Sequence, residues 1–189
     1  MKNIVVLLAV AGSSLAVAVP ADAPAEKSSA MMMKRTDFSA GPVGTVSIII
    51  DKSDYELSVY DDKGWYATYP VVFGNNSLAD KKMEGDKNTP EGSFRISHKK
   101  VHDKWHRFLG IDYPNKDSWE KFNQRKKRGE IPSSAKIGGA IGIHGTWPND
   151  DVMVDRYKNW TLGCISMKNG DVAELYRYTP AGTSVVIRK

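Results

Sequence analysis

Val46-Ser47-Ile48-Ile49-Ile50, the polar run Asp51-Lys52-Ser53-Asp54, and then Tyr55-Glu56-Leu57-Ser58-Val59 form the stretch that decides the fold class. Val46, Ile48 and Ile50 fall on one face of an extended chain, and after the polar run the alternation resumes with Tyr55, Leu57 and Val59. A period of two on both sides of a turn describes a β-hairpin with one face buried. A second turn, Asp61-Asp62-Lys63-Gly64, leads into a third strand over 65–73. Strands are also expected over 93–97, with Phe94 and Ile96 on one face, over 137–144 and over 183–188. Two helices are expected. One covers 118–128, capped by Asp117 with Glu120 three residues on, carries Trp119 and Phe122 on one side and stops at Gly129. The other follows Asn169, presents Val172, Leu175 and Tyr176 to a core, and ends before Pro180. The fold class expected is mainly β with a few helices.

The 189 residues are 41% hydrophobic and 26% charged, a globular composition that excludes a disordered chain. At the N-terminus, Met1-Lys2-Asn3, the apolar stretch 4–11 and the small-residue tripeptide Ala16-Val17-Ala18 have the layout of a secretory signal peptide over 1–18. Gly12-Ser13-Ser14 interrupts the apolar run short of the roughly 20 residues a bilayer span needs, so cleavage is expected and no membrane span after processing. Residues 19–44, rich in Ala, Pro and Ser without a period, read as a linker or disordered arm, and 45–189 as one domain. Net charge is +5, falling to +4 once Lys2 is removed. Nothing in so mild a balance calls for nucleic acid, and Arg125-Lys126-Lys127-Arg128 reads as a solvated helix face.

Cys164 is the single cysteine, which excludes an internal disulfide framework and a thiolate zinc or iron–sulfur site. An isolated cysteine is commonly a small buried hydrophobe. In an exported chain, however, an unpaired thiol needs a reason: packing, an intermolecular disulfide, or reactivity. Its surroundings, Trp160-Thr161-Leu162-Gly163-Cys164-Ile165-Ser166-Met167, place a glycine beside the sulfur, where a substrate carbonyl and backbone N–H groups can approach. A thiol of pKa ~8.5 is only about 3% thiolate at neutral pH, so a nucleophilic cysteine needs a base. His98, His102 and His106 lie in a Lys-rich stretch read as solvated surface. His102 and His106 have the i, i+4 spacing of a helical metal pair, but no acidic or thiol cluster supports them, and no metal is expected. His144 instead ends the apolar run Ile141-Gly142-Ile143 and precedes Gly145-Thr146, which puts an imidazole at a sheet edge; a satisfied structural histidine is the competing reading. Asp86 and Glu91 form a carboxylate pair of the kind glycosidases use, but Thr89-Pro90-Glu91-Gly92 reads better as a turn.

Three stretches together carry a resemblance. Gly85-Asp86-Lys87-Asn88-Thr89-Pro90-Glu91-Gly92-Ser93-Phe94, Ile141-Gly142-Ile143-His144-Gly145-Thr146 and Thr161-Leu162-Gly163-Cys164-Ile165 resemble, in order, the signature blocks of the L,D-transpeptidase (YkuD) catalytic domain. The resemblance covers 45–189. It implies a β-sandwich-like domain acting on peptidoglycan stem peptides in the periplasm or cell wall, without cofactor or metal, as a monomer, and with a part in cell shape. It further implies that Cys164 is the nucleophile, that His144 is the proton donor and acceptor, that the Gly145 carbonyl orients His144, and that the N–H groups of Gly163 and Cys164 hold the oxyanion. The donor is then attacked at the L-centre of its third, diamino acid residue, D-alanine leaves, and an amine resolves the thioester to give a 3-3 cross-link.

The sequence departs from the family where many members carry histidine two positions before the nucleophile and arginine two after it: Leu162 and Ser166 stand there. The Trp-Thr-x-Gly-Cys form, with Leu109-Gly110-Ile111-Asp112-Tyr113-Pro114-Asn115 upstream, is similar to a branch whose members hydrolyse a stem-peptide or lipoprotein–peptidoglycan bond. Water as acceptor, with a wall-linked lipoprotein as partner, is therefore the alternative, and an inert wall-binding module is the reading from another class. Trp147, Trp160, Thr161, Ser166 and Arg156 are the candidate substrate-binding residues, with Lys158 and Arg107 as other candidates for a substrate carboxylate.

Overall fold

Alternation of buried and exposed side chains along each strand shapes the domain in the computed structural model, which describes residues 33–34 and 41–189. β1 is Met33–Lys34, β2 Ser47–Asp51, β3 Glu56–Asp61, β4 Gly64–Val72, β5 Gly92–His102 and β6 His106–Ile111. α1 (Lys116–Lys127), β7 (Gly142–His144), α2 (Val152–Asp155), β8 (Ile165–Met167), α3 (Asn169–Tyr178) and β9 (Ser184–Arg188) follow. The strands run in the order β1-β4-β3-β2-β9-β5-β6-β7-β8, and β4 also pairs with β8, so the sheet curls back on itself around the core. The protein is mainly β with a few helices, and its inward-facing side chains fill a closed, sandwich-like interior.

The first hairpin forms because Ile48, Ile50, Leu57 and Val59 each leave 1% or less of their surface exposed, while Asp51 Oδ1 accepts the N–H groups of Ser53 and Asp54 across the turn. Tyr55 lies in the turn with φ 60° rather than on the buried face of β3. β2 pairs in parallel with β9 and β9 in antiparallel with β5, which brings the two ends of the domain together. α1 begins at Lys116, capped by Asn115, whose Oδ1 accepts from Ser118 N at 3.0 Å; Asp117 lies inside the first turn. Phe122 is buried and Trp119 is not.

Four features differ from the sequence reading. The strand expected over 137–144 is confined to Gly142–His144, because Gly138 (φ +78°) and Ala140 (φ +55°) break the extended chain while Ile137 and Ile141 stay buried as anchors. The stretch from His98 to His106 is a β-hairpin, His102 pairing with His106 across its end, so these two are not one helical turn apart. β8 and α2 were not anticipated, being only three and four residues long. Within the segment read as a linker, Met33–Lys34 pairs with the edge of β4, and the N–H of Val43 donates to Asp61. The signal peptide expected over 1–18 lies outside the described residues; among those described, no helix is long and apolar enough to cross a membrane.

The carboxylates of the first signature block are committed to holding it in shape. Asp86 binds Lys81 Nζ at 2.8 Å and the backbone N–H groups of Lys82, Met83 and Asn88. Burial opposes its charge, but these donors together keep its carboxyl below the usual range. Glu91 pairs with Lys52, whose ammonium is fully buried at 2.6 Å and also reaches the Ala79 and Thr89 carbonyls. Removing Glu91 leaves that ammonium buried without its counter-charge. Glu91→Ala is expected to lower unfolding free energy in urea by about 3 kcal/mol, and Lys52→Met by less, because Glu91 can turn to solvent. Equal and negligible losses would contradict this role.

Candidate active site

The site is built from two very short strands. β7 and β8 pair in parallel, with Ile143 opposite Ile165 and His144 opposite Ser166. Cys164 lies two residues before Ser166, so a period of two places it on the same face as His144 on the adjacent strand. Both side chains line one cleft of about 550 Å³, within the range of small-molecule sites.

His144 is 2% exposed, and its Nδ1 lies 2.6 Å from Gly145 O. A carbonyl can only accept, so the proton sits on Nδ1 and Nε2 keeps its lone pair. Gly145 O also accepts from Ser166 Oγ at 3.4 Å, and Gly145 N donates to Trp105 O at 3.0 Å. A Cβ on Gly145 would lie 2.2 Å from Asn169 Oδ1 and 2.9 Å from Trp105 O, so only glycine brings this carbonyl so close to α3 and the hairpin. Thr146 Oγ1 donates to Asp151 Oδ1 at 2.7 Å and accepts from Asn169 Nδ2, which ties the segment after His144 to the start of α3.

The turn that presents Cys164 is equally constrained. Gly163 adopts φ +126°, and a Cβ there would meet Asn88 O at 2.8 Å. Thr89 Oγ1 donates to Gly163 O at 3.0 Å, Thr161 Oγ1 donates to Cys164 O at 2.7 Å, and the N–H groups of Trp160 and Thr161 both reach Phe73 O. The first signature block and the end of β4 thus form the cradle of the cysteine turn. Cys164 is half-buried, and its Sγ–H points to Ala140 O at 3.5 Å.

Three aromatic rings surround the imidazole. Trp105 stacks on it at 4.8 Å and 28°, Phe108 lies nearly parallel at 6.3 Å, and Trp160 meets it edge-on at 5.7 Å. This apolar enclosure strips water from the imidazolium and pulls the His144 pKa down to about 4; the Gly145 bond works the other way and His102 reinforces the fall. Burial pushes the Cys164 thiol up, against smaller opposing effects of Gly142 and Lys81. Both shifts favour the uncharged forms, a thiol beside a neutral imidazole.

The sequence-expected residues divide into two groups. Cys164, His144, Trp147, Trp160 and Thr161 line the cleft together. Gly145 and Gly163 frame it, but the Gly163 N–H donates to Thr161 Oγ1 at 3.1 Å and is already engaged. Ser166 is fully buried with its hydroxyl on Gly145 O, and so supports the His144 loop from behind. Arg156 caps the end of α2, exposed and outside the cleft lining, as is Lys158; Arg107 packs over Tyr176. Residues that sequence reasoning passed over are Lys100, His102, Trp105 and Phe108, all on the hairpin read as solvated surface. The available signal was the alternation of Lys100, His102, His106 and Phe108 about the turn at Asp103-Lys104. A second cleft of about 360 Å³, lined by Lys81, Glu84, Lys87 and Gly138 among others, shares Gly139, Ile141 and Leu162 with the first.

The resting protonation state is directly measurable. His144 is expected to titrate by NMR with a midpoint of about 4, below the ordinary 6.5. Because its charged form is the disfavoured one, the ring takes up its proton only as pH falls through that midpoint. The ultraviolet absorbance of a thiolate, read against Cys164→Ala, is expected to be missing at pH 7. A His144 midpoint at or above the ordinary value together with a thiolate signal at pH 7 would mean that the pair rests ionised.

A model of the L,D-transpeptidase catalytic domain (YkuD) matches residues 45–187. The chain is 29% identical over 149 residues to the putative L,D-transpeptidase YqjB of Bacillus subtilis (strain 168), covering 76% of this chain and 72% of that relative. Its fold is similar to that of the helical cell shape determining protein Pgp2 from Campylobacter jejuni, with TM-score 0.54 and 24% identity over 77% of this chain and 48% of that one. It is also similar to Bdellovibrio bacteriovorus Bd1075, with TM-score 0.51 and 23% identity over 85% of this chain and 52% of the other. The chain spans about half the length of these two solved structures, and at these identities the likeness is one of fold. With the family model matching nearly the whole described domain, the chain belongs to the L,D-transpeptidase catalytic domain family.

Proposed function

We propose that this protein is an exported cysteine acyltransferase that remodels peptidoglycan stem peptides. The observation that carries the reading is the His144 Nδ1 bond to Gly145 O beside Cys164 in one enclosed cleft, since it leaves Nε2 with the lone pair that a thiol nucleophile requires.

Cys164 Sγ attacks the carbonyl of the donor's third residue as its proton passes to His144 Nε2. The C–S bond forms, the carbonyl becomes an oxyanion, and the collapse of that intermediate expels D-alanine, whose amine takes the proton back from His144. An acceptor amine then gives its proton to His144 and attacks the thioester; the new amide forms and the thiol is regenerated. With Gly163 N–H on Thr161 Oγ1, the Cys164 N–H, which belongs to the nucleophile itself, is the backbone donor assigned to the oxyanion, a role commonly worth ~3 kcal/mol. Starting from a neutral pair, charge separation is delayed until substrate excludes water from the cleft.

A second cleft adjoining the Cys164 cleft at Gly139, Ile141 and Leu162 supports transfer over hydrolysis, because it offers an acceptor room beside the donor. Trp147 and Trp160, 6.4 Å apart, wall the larger one. Work outside the cytoplasmic membrane, as the signal peptide layout of 1–18 implies, brings the site to its polymer.

Incubation with disaccharide-tetrapeptide muropeptides tests the reading. Cross-linked dimers or products with an exchanged terminal D-amino acid are expected, and Cys164→Ala is expected to abolish them. Trimmed monomers alone would assign the site to hydrolysis, and no turnover by a folded protein that also fails to bind carbapenem would leave it without catalysis.

A further inference from the structure

The turn of the β5–β6 hairpin sits over the imidazole and contributes more than bulk. Trp105 stacks with two imidazoles, His102 at 4.4 Å and 20° and His144 at 4.8 Å and 28°. The backbone of the same residue reaches the same site. Trp105 O accepts the N–H of Gly145 at 3.0 Å, and Gly145 O in turn receives His144 Nδ1. One residue therefore touches both the ring and the peptide unit that fixes the ring's tautomer.

Two further observations argue that this placement is not incidental packing. Trp105 Nε1 is buried without a hydrogen-bond partner, so the indole is not held here by its polar edge, and its faces make the contacts that matter. The local backbone is also bent to deliver it: Arg107 N donates to Trp105 O at 2.6 Å across His106, whose φ is +58°, a tight turn that residues other than glycine rarely adopt. Lys104 N donates to His102 Nδ1 at 3.2 Å, closing the turn at His102.

We propose that Trp105 is a positioning residue for His144, holding the imidazole plane through its indole face and the Nδ1-protonated tautomer through its carbonyl's grip on Gly145. The proposal rests on His144 acting as the base for Cys164. Phe108 and Trp160 border the ring too, but neither is bonded to Gly145 in the way that Trp105 O is. Without the indole, the ring loses its nearest stacking partner, and Nε2 spends less time in the orientation that the proposed proton transfer needs. A misplacement on the order of 1 Å can cost roughly 100-fold in a reaction that depends on such alignment.

The test needs no wall substrate, since Cys164 is the sole cysteine. Alkylation by iodoacetamide at neutral pH, followed by intact mass, compares the wild type with His144→Ala, Trp105→Phe and Trp105→Ala; long-range proton–nitrogen NMR reads the His144 tautomer. Expected are slow alkylation in His144→Ala, a loss of about 10- to 100-fold in Trp105→Ala with mixed His144 tautomers, as the turn that holds the residue-105 carbonyl on Gly145 N loosens with the indole gone, and near wild-type rate and tautomer in Trp105→Phe. If Trp105→Ala does not fold, Trp105→Leu replaces it, keeping apolar bulk without a ring face. Rapid alkylation in His144→Ala would overturn the role of His144 as base and this proposal with it. Slow alkylation in His144→Ala with unchanged rate and tautomer in Trp105→Ala or Trp105→Leu would overturn the proposal alone, as would equal losses in Trp105→Phe and Trp105→Leu.

Discussion

The parallel pairing of β7 with β8 is the constraint on which the rest of the site depends. Parallel neighbours cannot be joined by a tight turn, so residues 145–164 must leave the sheet and return. That excursion carries Trp147, α2 and Trp160, and ends in the turn that presents Cys164 beside His144. Three-residue strands are too short to hold register alone. β6 pairs with β7 on one side, Phe108 opposite His144, and the end of β4 pairs with β8 on the other, Val72 opposite Ser166. The curling of the sheet therefore does more than enclose a core. It clamps the two residues of the chemistry between strands that belong to the larger hairpins.

Enclosure has an electrostatic consequence that separates this site from a thiolate–imidazolium pair. Aromatic neighbours that set the plane of His144 also remove the water that would stabilise its charged form, while burial keeps the thiol protonated. Positioning and pKa thus have one origin. A thiol kept neutral at rest is also a poorer target for oxidants than a free thiolate, since reactivity follows thiolate character. The buried Lys52–Glu91 pair and the Asp86 network serve the same end at a distance, because they shape the segment whose Thr89 hydroxyl holds the Gly163 carbonyl.

Much of this was legible in the residues. Alternation at Ile48, Ile50, Leu57 and Val59 has only one economical folding solution, and Cys164 stood out because a lone thiol beside a glycine, in a chain that opens with a signal-peptide layout, demands an explanation. What stayed hidden was set by tertiary contact. The His98–His106 stretch is rich in lysine and composition alone pointed to solvent, yet Lys100, His102 and Trp105 line the cleft. β8 is too short to show a period, and the break at 137–141 depends on positive φ values at Gly138 and Ala140 that no hydrophobic pattern records. Asn115 took the cap from Asp117 because the helix begins two residues earlier than its apolar residues indicated.

If Cys164 is the acyl-accepting nucleophile and His144 its base, one intermediate must exist. Intact-protein mass spectrometry after brief mixing with a tetrapeptide donor reads it directly. The predicted result is a mass gain equal to the tripeptide acyl group, localised to Cys164, absent in Cys164→Ala and strongly reduced in His144→Ala. A folded wild-type protein that turns the donor over without ever carrying that adduct, or an adduct that survives in Cys164→Ala, would contradict it.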